Sequence, residues 1–366
     1  MKPPFHLPLI ILTLLGSLGW SADAEVIDLP QPPITQLYQD AKSQPNDKET
    51  RLTKNTDILV AARKILADHP EVPPTAPLRE ILVRRIMLPA AERIFADAPT
   101  PENRTQLRNI ATDVVNVPVY EGHLIVPEKV RAAYILANMD IFPTPTSAPV
   151  DAGKHIRALV ALFPPRAAIK EPTAFTGQAT VYAAKLAIAA GEKALADEYC
   201  ATISKHYLAT ENALTTLIQA GHAPVFEMEM TTLDGKKLSF PADTKGKVVV
   251  LDFWATWCGP CIASMPHIQK LQEKFKDQDV LIVGVSCDRP SSKETPEQNK
   301  TKVADFISNK GYNWIQTYSG EWPRSAVKYG VSRIPTVFVI GKDGRLISVT
   351  ARGREEALIN KALSLP

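Results

Sequence analysis

Two cysteines three apart, Cys258 and Cys261 in the stretch DFWATWCGPCIASMP, are the residues of this chain best suited to chemistry. Such a pair can bind zinc, anchor a haem, clamp a loop, or cycle between dithiol and disulfide. A structural zinc site needs a second pair of ligands. The sequence has no second C-x-x-C, its Cys200 and Cys287 are isolated, and no histidine is spaced with another ligand, so no metal is expected. A covalent haem needs histidine directly after the second cysteine, and Ile262 stands there. As a clamp, the bond would close a loop of only a few residues, where loop-closure stabilisation is smallest. A redox pair fits better, and it needs no cofactor beyond its own sulfurs.

Such chemistry depends on where the chain puts the sulfurs. KGKVVVLDFWA reads as a buried strand and CIASMPHIQKLQEKFK as a helix, so Cys258 falls at the handover. A helix N-terminus offers unpaired N–H groups and the positive end of the macrodipole, both of which favour thiolate over thiol. The thiolate is the form that attacks a disulfide sulfur. Cys261, one turn further in, can reach Cys258 and resolve the mixed disulfide. Gly259 permits close backbone approach, and Pro260 pre-sets a helical φ where no N–H donor is needed.

The rest of the chain supplies two textures. From about Asp57 to Gln219 apolar residues recur at helix spacing, as Ile58, Leu59, Ala62, Ile65 and Leu66 do, with Pro89 read as a kink or break and Gly191 as a stop. The proline-rich start, 25–49, carries little structure in this reading. After Gly221-His222-Ala223-Pro224 the pattern changes. A strand pair turns at Asp234-Gly235, buried strands then alternate with helices, and a hairpin at Asp343-Gly344 precedes a last helix. The expected architecture is two domains: an all-α helical domain over 25–222 with no assigned role, and an α/β fold with a mixed central sheet over 223–366.

A length of 366 residues suits two domains. The composition, 45% hydrophobic and 22% charged, suits a soluble protein with real cores. A net charge of +3 without a Lys/Arg cluster gives no ground for nucleic acid as a partner. The start, MKPPFHLPLIILTLLGSLGWSADA, pairs Lys2 with an apolar run and ends in Ala22-Asp23-Ala24, the form of a signal-peptidase site. Residues 1–24 are therefore read as a signal peptide, and export to the periplasm or cell envelope is expected. The apolar run of roughly a dozen residues is short against the ~20 that a spanning anchor needs. In an oxidising compartment a disulfide persists.

The stretch VVVLDFWATWCGPCIASMP resembles the thioredoxin superfamily, and within it the periplasmic TlpA/ResA-like branch. The resemblance covers about 223–366 and implies a thioredoxin-like fold and thiol–disulfide oxidoreductase activity. It implies that Asp252 is the buried acid that exchanges protons with the resolving thiol. Pro335, in Arg333-Ile334-Pro335-Thr336, matches the cis-proline that lies against the disulfide and presents substrate. Trp257 and Ile334, with Gly259 and Pro260, are expected at the docking surface. The branch commonly reduces protein disulfides, including those of apocytochrome c or copper-site cysteines, and draws electrons from a membrane donor. The sequence departs from the branch at Ser264, where many members carry glutamate, and this leaves Asp252 as the expected sole acid.

The remaining candidates have blander readings. Trp254 packs in the core, Cys200 and Cys287 are buried inert thiols, and His267 faces solvent. A rival reading is a binding or scaffold protein whose helical half recognises a partner. A thiol peroxidase is the other: Thr256 precedes Cys258 with one residue between, but the proline of the P-x-x-x-T-x-x-C setting is missing.

Overall fold

The computed structural model describes residues 30–73, 76–117, 127–144, 146–163 and 174–365. The signal peptide expected over 1–24 lies outside them. The chain divides into two units, 1–192 and 193–366.

The first unit is helical. It contains α1 (Gln31–Lys42), α2 (Lys48–Asp68), α3 (Pro77–Ile81), α4 (Leu88–Asp97), α5 (Pro101–Asn116), α6 (Pro127–Ile141), α7 (Ala152–Ala161) and α8 (Ala174–Ala190). The proline-rich start is more ordered than its composition implies, because Pro32 and Pro33 occupy the first turn of α1, where a missing N–H costs nothing. Between α3 and α4 a π-helical turn, Leu82–Met87, carries the helical path onward, and Pro89 falls in the first turn of α4 without ending it. Helix spacing decides the core. Leu107, Ile110, Ala111 and Val114 form one buried stripe of α5 and join Ile58, Leu59 and Ala62 of α2 in a single cluster.

The second unit begins ahead of the change in sequence texture, with α9 (Lys193–His206) and α10 (Glu211–Gln219). The side chain of Thr210 accepts a hydrogen bond from the Ala213 N–H at 3.1 Å and so caps α10. Leu214 of α10 is fully buried with Phe226, Phe253 and Phe338, which ties this helix to the sheet. A two-stranded hairpin, β1 (Met228–Thr231) and β2 (Lys237–Phe240), precedes the main sheet. There follow β3 (Val248–Trp254), α11 (Gly259–Phe275), β4 (Val280–Ser286), α12 (Pro296–Asn309), β5 (Ile315–Tyr318), α13 (Arg324–Lys328), β6 (Thr336–Ile340), β7 (Leu346–Ser348) and α14 (Glu355–Ser364).

The five-stranded sheet has the order β5-β4-β3-β6-β7. β3, β4 and β5 run parallel, whereas β6 pairs antiparallel with β3 and β7. This is the mixed sheet that the alternation of strands and helices, followed by a hairpin, implies. β3 is buried along its whole length, which accounts for its unbroken apolar run. Its side chains alternate between two cores. Val248, Val250 and Trp254 join Cys261, Met265 and Ile268 of α11 and Ile359 and Ala362 of α14. Val249, Leu251 and Phe253 join Phe226 and Phe338 on the other face. Each large side chain buried here contributes about 1.5–3 kcal/mol relative to exposure. The β6–β7 turn requires its glycine: Gly344 has φ +79°, and an added Cβ would stand 2.7 Å from Pro241.

Candidate redox site

Cys258 and Cys261 are joined by a disulfide, with sulfurs 1.99 Å and Cα atoms 5.2 Å apart. Cys258 is the N-cap of α11, and its Sγ accepts a hydrogen bond from the Cys261 N–H at 3.3 Å. Its carbonyl accepts from the N–H groups of Cys261 and Ile262, both at 3.0 Å. Cys258 is 5% exposed and Cys261 1%, so the first sulfur is the one within reach of an external partner. Pro260 occupies the first turn, where its missing N–H leaves no gap. An added Cβ at Gly259 would meet nothing within 4 Å. Packing within the chain therefore does not require a glycine there.

The loop between β3 and α11 is held by a carboxylate from the neighbouring strand. Asp288, 2% exposed just after β4, accepts hydrogen bonds from the Thr256 N–H at 3.1 Å and from its hydroxyl at 2.6 Å. The hydroxyl of Ser286 also donates to it, at 2.9 Å. Thr256 is thus engaged in positioning the loop. Beyond it Trp257 stands 64% exposed, whereas Trp254 is fully buried and donates its indole N–H to Gln316 at 3.0 Å.

The antiparallel partner of β3 brings in the proline. Thr336 of β6 lies opposite Phe253, so Pro335 reaches the level of Trp254, where the active loop leaves the strand. The Ile334–Pro335 peptide is cis. Ile334 and Pro335 are both half-buried, and Gly259 and Pro260 are exposed.

Asp252 alternates with Val250 and Trp254 and so points to the face covered by α11 and α14. It is 2% exposed, and its Oδ2 has no hydrogen-bond partner. Burial, reinforced by the nearby Glu355 carboxylate and opposed by Arg352, pushes its pKa up to about 7. A carboxyl group at that pKa takes and returns a proton near neutrality.

Glu355, which the sequence reading passes over, is the second acid of this face. It begins α14 and is 3% exposed. His267 of α11 is half exposed, and its Nε2 lies 3.4 Å from Glu355 Oε2. Ser264 is occupied locally, donating its hydroxyl to the Cys261 carbonyl at 2.8 Å. Asp288 is the other residue missed by sequence; as one Asp among many in a loop it carries no spacing signal. Cys200 and Cys287 are free, buried thiols, and burial with the Asp288 charge pushes Cys287 up to about 12. Among the described residues, no group of three or more His, Cys, Asp or Glu side chains could hold a metal ion.

A mixed sheet of this order, a C-G-P-C disulfide capping the first helix after the central strand, and a cis-proline leading into that strand's antiparallel neighbour define a thioredoxin-like protein. Residues 219–363 match the family described as Redoxin. The thiol-disulfide oxidoreductase ResA of Bacillus subtilis (strain 168) is 30% identical over 151 residues, covering 41% of this chain and 76% of that protein. The thioredoxin-like protein YneN of the same organism is 35% identical over 136 residues, 35% of this chain and 68% of that protein. The ResA of Bacillus thuringiensis (strain Al Hakam) is 34% identical over 119 residues, 32% of this chain, and the chain spans 62% of that relative's length. The chain belongs to the Redoxin family, and the matching region is its sheet-bearing unit.

Proposed function

We propose that this protein is a thiol–disulfide oxidoreductase that works as a reductant of protein disulfides in the cell envelope. The observation that carries this reading is the Cys258–Cys261 bond at the N-terminus of α11, with Cys258 the more exposed sulfur. In the reduced protein, Cys258 thiolate attacks a substrate disulfide, forming a mixed disulfide and releasing one substrate thiol. Cys261 gives up its proton to Asp252 and attacks Cys258 Sγ. The Cys258–Cys261 bond forms, the bond to substrate breaks, and the second substrate sulfur leaves and takes up a proton. The protein is oxidised by two electrons and the substrate reduced by two. Trp257, Gly259, Pro260 and Ile334 form the docking surface, with Pro335 beside the sulfurs. Next to Trp257 a cavity of about 500 Å³, lined also by Arg289, Glu294, Lys302 and Phe306, offers room for a peptide segment.

The reducing direction rests on the C-G-P-C sequence shared with thioredoxin and on the ResA likeness. Apocytochrome c or copper-site cysteines are the substrates in view, and a membrane electron donor must restore the dithiol. Envelope location is supported by the sequence of 1–24. Among the described residues no helix is long and apolar enough to cross a membrane.

The test is an equilibrium redox titration of the full chain with a Cys258→Ser control. A strongly reducing potential supports the reductant. An oxidising potential makes the protein a disulfide donor or isomerase. A pair that never titrates removes the redox reading and leaves a binding module.

A further inference from the structure

The loop that leads into the cis-proline rests on a helix that precedes the Redoxin-matching region. α10 ends where that region begins, at residue 219. Gly330, with φ +72°, lies so close to the start of α10 that an added Cβ would stand 2.8 Å from the Glu211 nitrogen and from the Thr210 carbonyl carbon. Both are backbone atoms at a capped helix end, so they cannot yield as the tip of a flexible side chain can.

Three further contacts join the stretch 210–227 to the loop 326–335. The Arg333 guanidinium, two residues before Pro335, donates to Glu211 Oε2 at 3.0 Å. The Tyr329 hydroxyl accepts from the Glu227 N–H at 2.9 Å and donates to the Val225 carbonyl at 3.3 Å. Leu214 of α10 is fully buried in one core with Ala326, Tyr329 and Val331. The loop is closed locally by the Thr336 hydroxyl, which donates to the Arg333 carbonyl at 2.8 Å. Ile334 packs against this core and also against the one that holds Cys258 and Cys261. The residue next to the cis-proline is therefore shared between the redox core and the core that contains α10. The Arg333–Glu211 pair is exposed, and such pairs add little to stability. What it fixes is the course of the chain immediately before Ile334 and Pro335.

We propose that α10 and the stretch after it, 210–227, set the position of the cis-proline loop and thereby how tightly a protein disulfide docks there. Gly330, Glu211 and Arg333 are positioning residues that act through Ile334 and Pro335 and not on the sulfurs. A small disulfide reaches Cys258 without the loop, whereas a polypeptide disulfide needs Ile334 and Pro335 held in place. A helix ahead of the family region is thus part of what favours protein disulfides over small ones.

This inference rests on the reading of the protein as a reductant of protein disulfides, and the experiment keeps the two apart. The pre-reduced full chain is mixed with insulin as the protein disulfide or with oxidised glutathione as the small one. Formation of the Cys258–Cys261 bond is followed by acid quench and thiol alkylation. A wild-type chain oxidised by neither fails the redox reading, and one oxidised by glutathione alone fails the reading of protein disulfides as substrates. With both active, Gly330→Ala should raise the half-saturating insulin concentration about tenfold, as a Cβ forced against backbone displaces the loop. Glu211→Gln and Arg333→Gln should each raise it about twofold or more. The limiting rate with insulin and the rate with oxidised glutathione should stay within about twofold of wild type. The double variant should be no worse than the worse single one, because both remove the same pair. An unchanged half-saturating concentration in folded Gly330→Ala, or in both charge variants, overturns the proposal. So does an equal fall with both disulfides, which marks a general loss of structure, and so does an additive double variant. Should Gly330→Ala fail to fold, the exposed pair decides alone.

Discussion

Replacing Asp252 with asparagine should stabilise the oxidised protein at pH 8 and destabilise it at pH 3.5, where no ionisation cost is relieved to offset the buried amide. Burial chiefly, and the Glu355 charge second, raise the Asp252 pKa from 3.8 in the unfolded chain to about 7 in the fold. The unfolded chain therefore ionises first. The stabilising share of the neutral carboxyl is complete below the unfolded pKa, declines by about 1.4 kcal/mol per pH unit between the two values, and is gone once pH passes about 7. Over about three pH units the loss is on the order of 4 kcal/mol, an upper figure for a fully buried group. Asparagine never ionises, but its amide enters a site where Asp252 Oδ2 has no partner, at a cost of about 1–3 kcal/mol. The net gain at pH 8 should be about 1–3 kcal/mol. Urea unfolding followed by tryptophan fluorescence measures it. Four of the five tryptophans, Trp254, Trp257, Trp314 and Trp322, lie in the sheet-bearing unit, so the signal chiefly reports the unit that holds Asp252. A difference between wild type and variant that is the same at pH 3.5 and 8, or a variant less stable at pH 8, would refute the reasoning. The same substitution should slow disulfide reduction near neutrality, separating the stability role of the group from its chemical one.

Cys258→Ser should abolish reduction of a disulfide substrate, whereas Cys261→Ser should retain attack and accumulate a mixed disulfide, visible as a mass increment that dithiothreitol removes. Asp288→Ala strips the acceptor from the Thr256 N–H, the Thr256 hydroxyl and the Ser286 hydroxyl. It should cost about 2–3 kcal/mol of stability and lower turnover by freeing the loop that carries Trp257; unchanged urea unfolding would remove that account. In the reduced native protein at pH 8.5, iodoacetamide should spare Cys287, held near pKa 12, and Cys200, which burial also raises. Mass spectrometry should count at most two adducts before denaturation and four after; a third native adduct would show that one of these thiols is reachable.

The order of elements in the sheet-bearing unit was legible in the sequence because its signals are local. An unbroken apolar run marks β3, Asp343-Gly344 marks the last hairpin, and W-C-G-P-C marks the helix start. The start of that unit was not legible. α9 and α10 carry the same helix spacing as the helices before them, and only the burial of Leu214 among Phe226, Phe253 and Phe338 ties α10 to the sheet. Composition likewise hid α1, since prolines that forbid a helix interior are welcome in its first turn.

The site divides along the same line. Cys258, Cys261 and Pro260 announce themselves by spacing, and Asp252 by its place on the strand before them. Glu355 and Asp288 could not, because each reaches the site by a route that no short window contains. Glu355 arrives from the far end of the unit because α14 lies across β3 and β6; Asp288 arrives because β4 runs parallel beside β3, ending level with Trp254. A sequence reading that finds no glutamate one turn after Cys261 concludes that Asp252 works alone. The fold supplies a second buried carboxylate to the same face from another element. What a carboxylate needs in order to act on Asp252 is nearness across the core, not nearness along the chain; the raised pKa of Asp252 comes chiefly from its burial, with the Glu355 charge second.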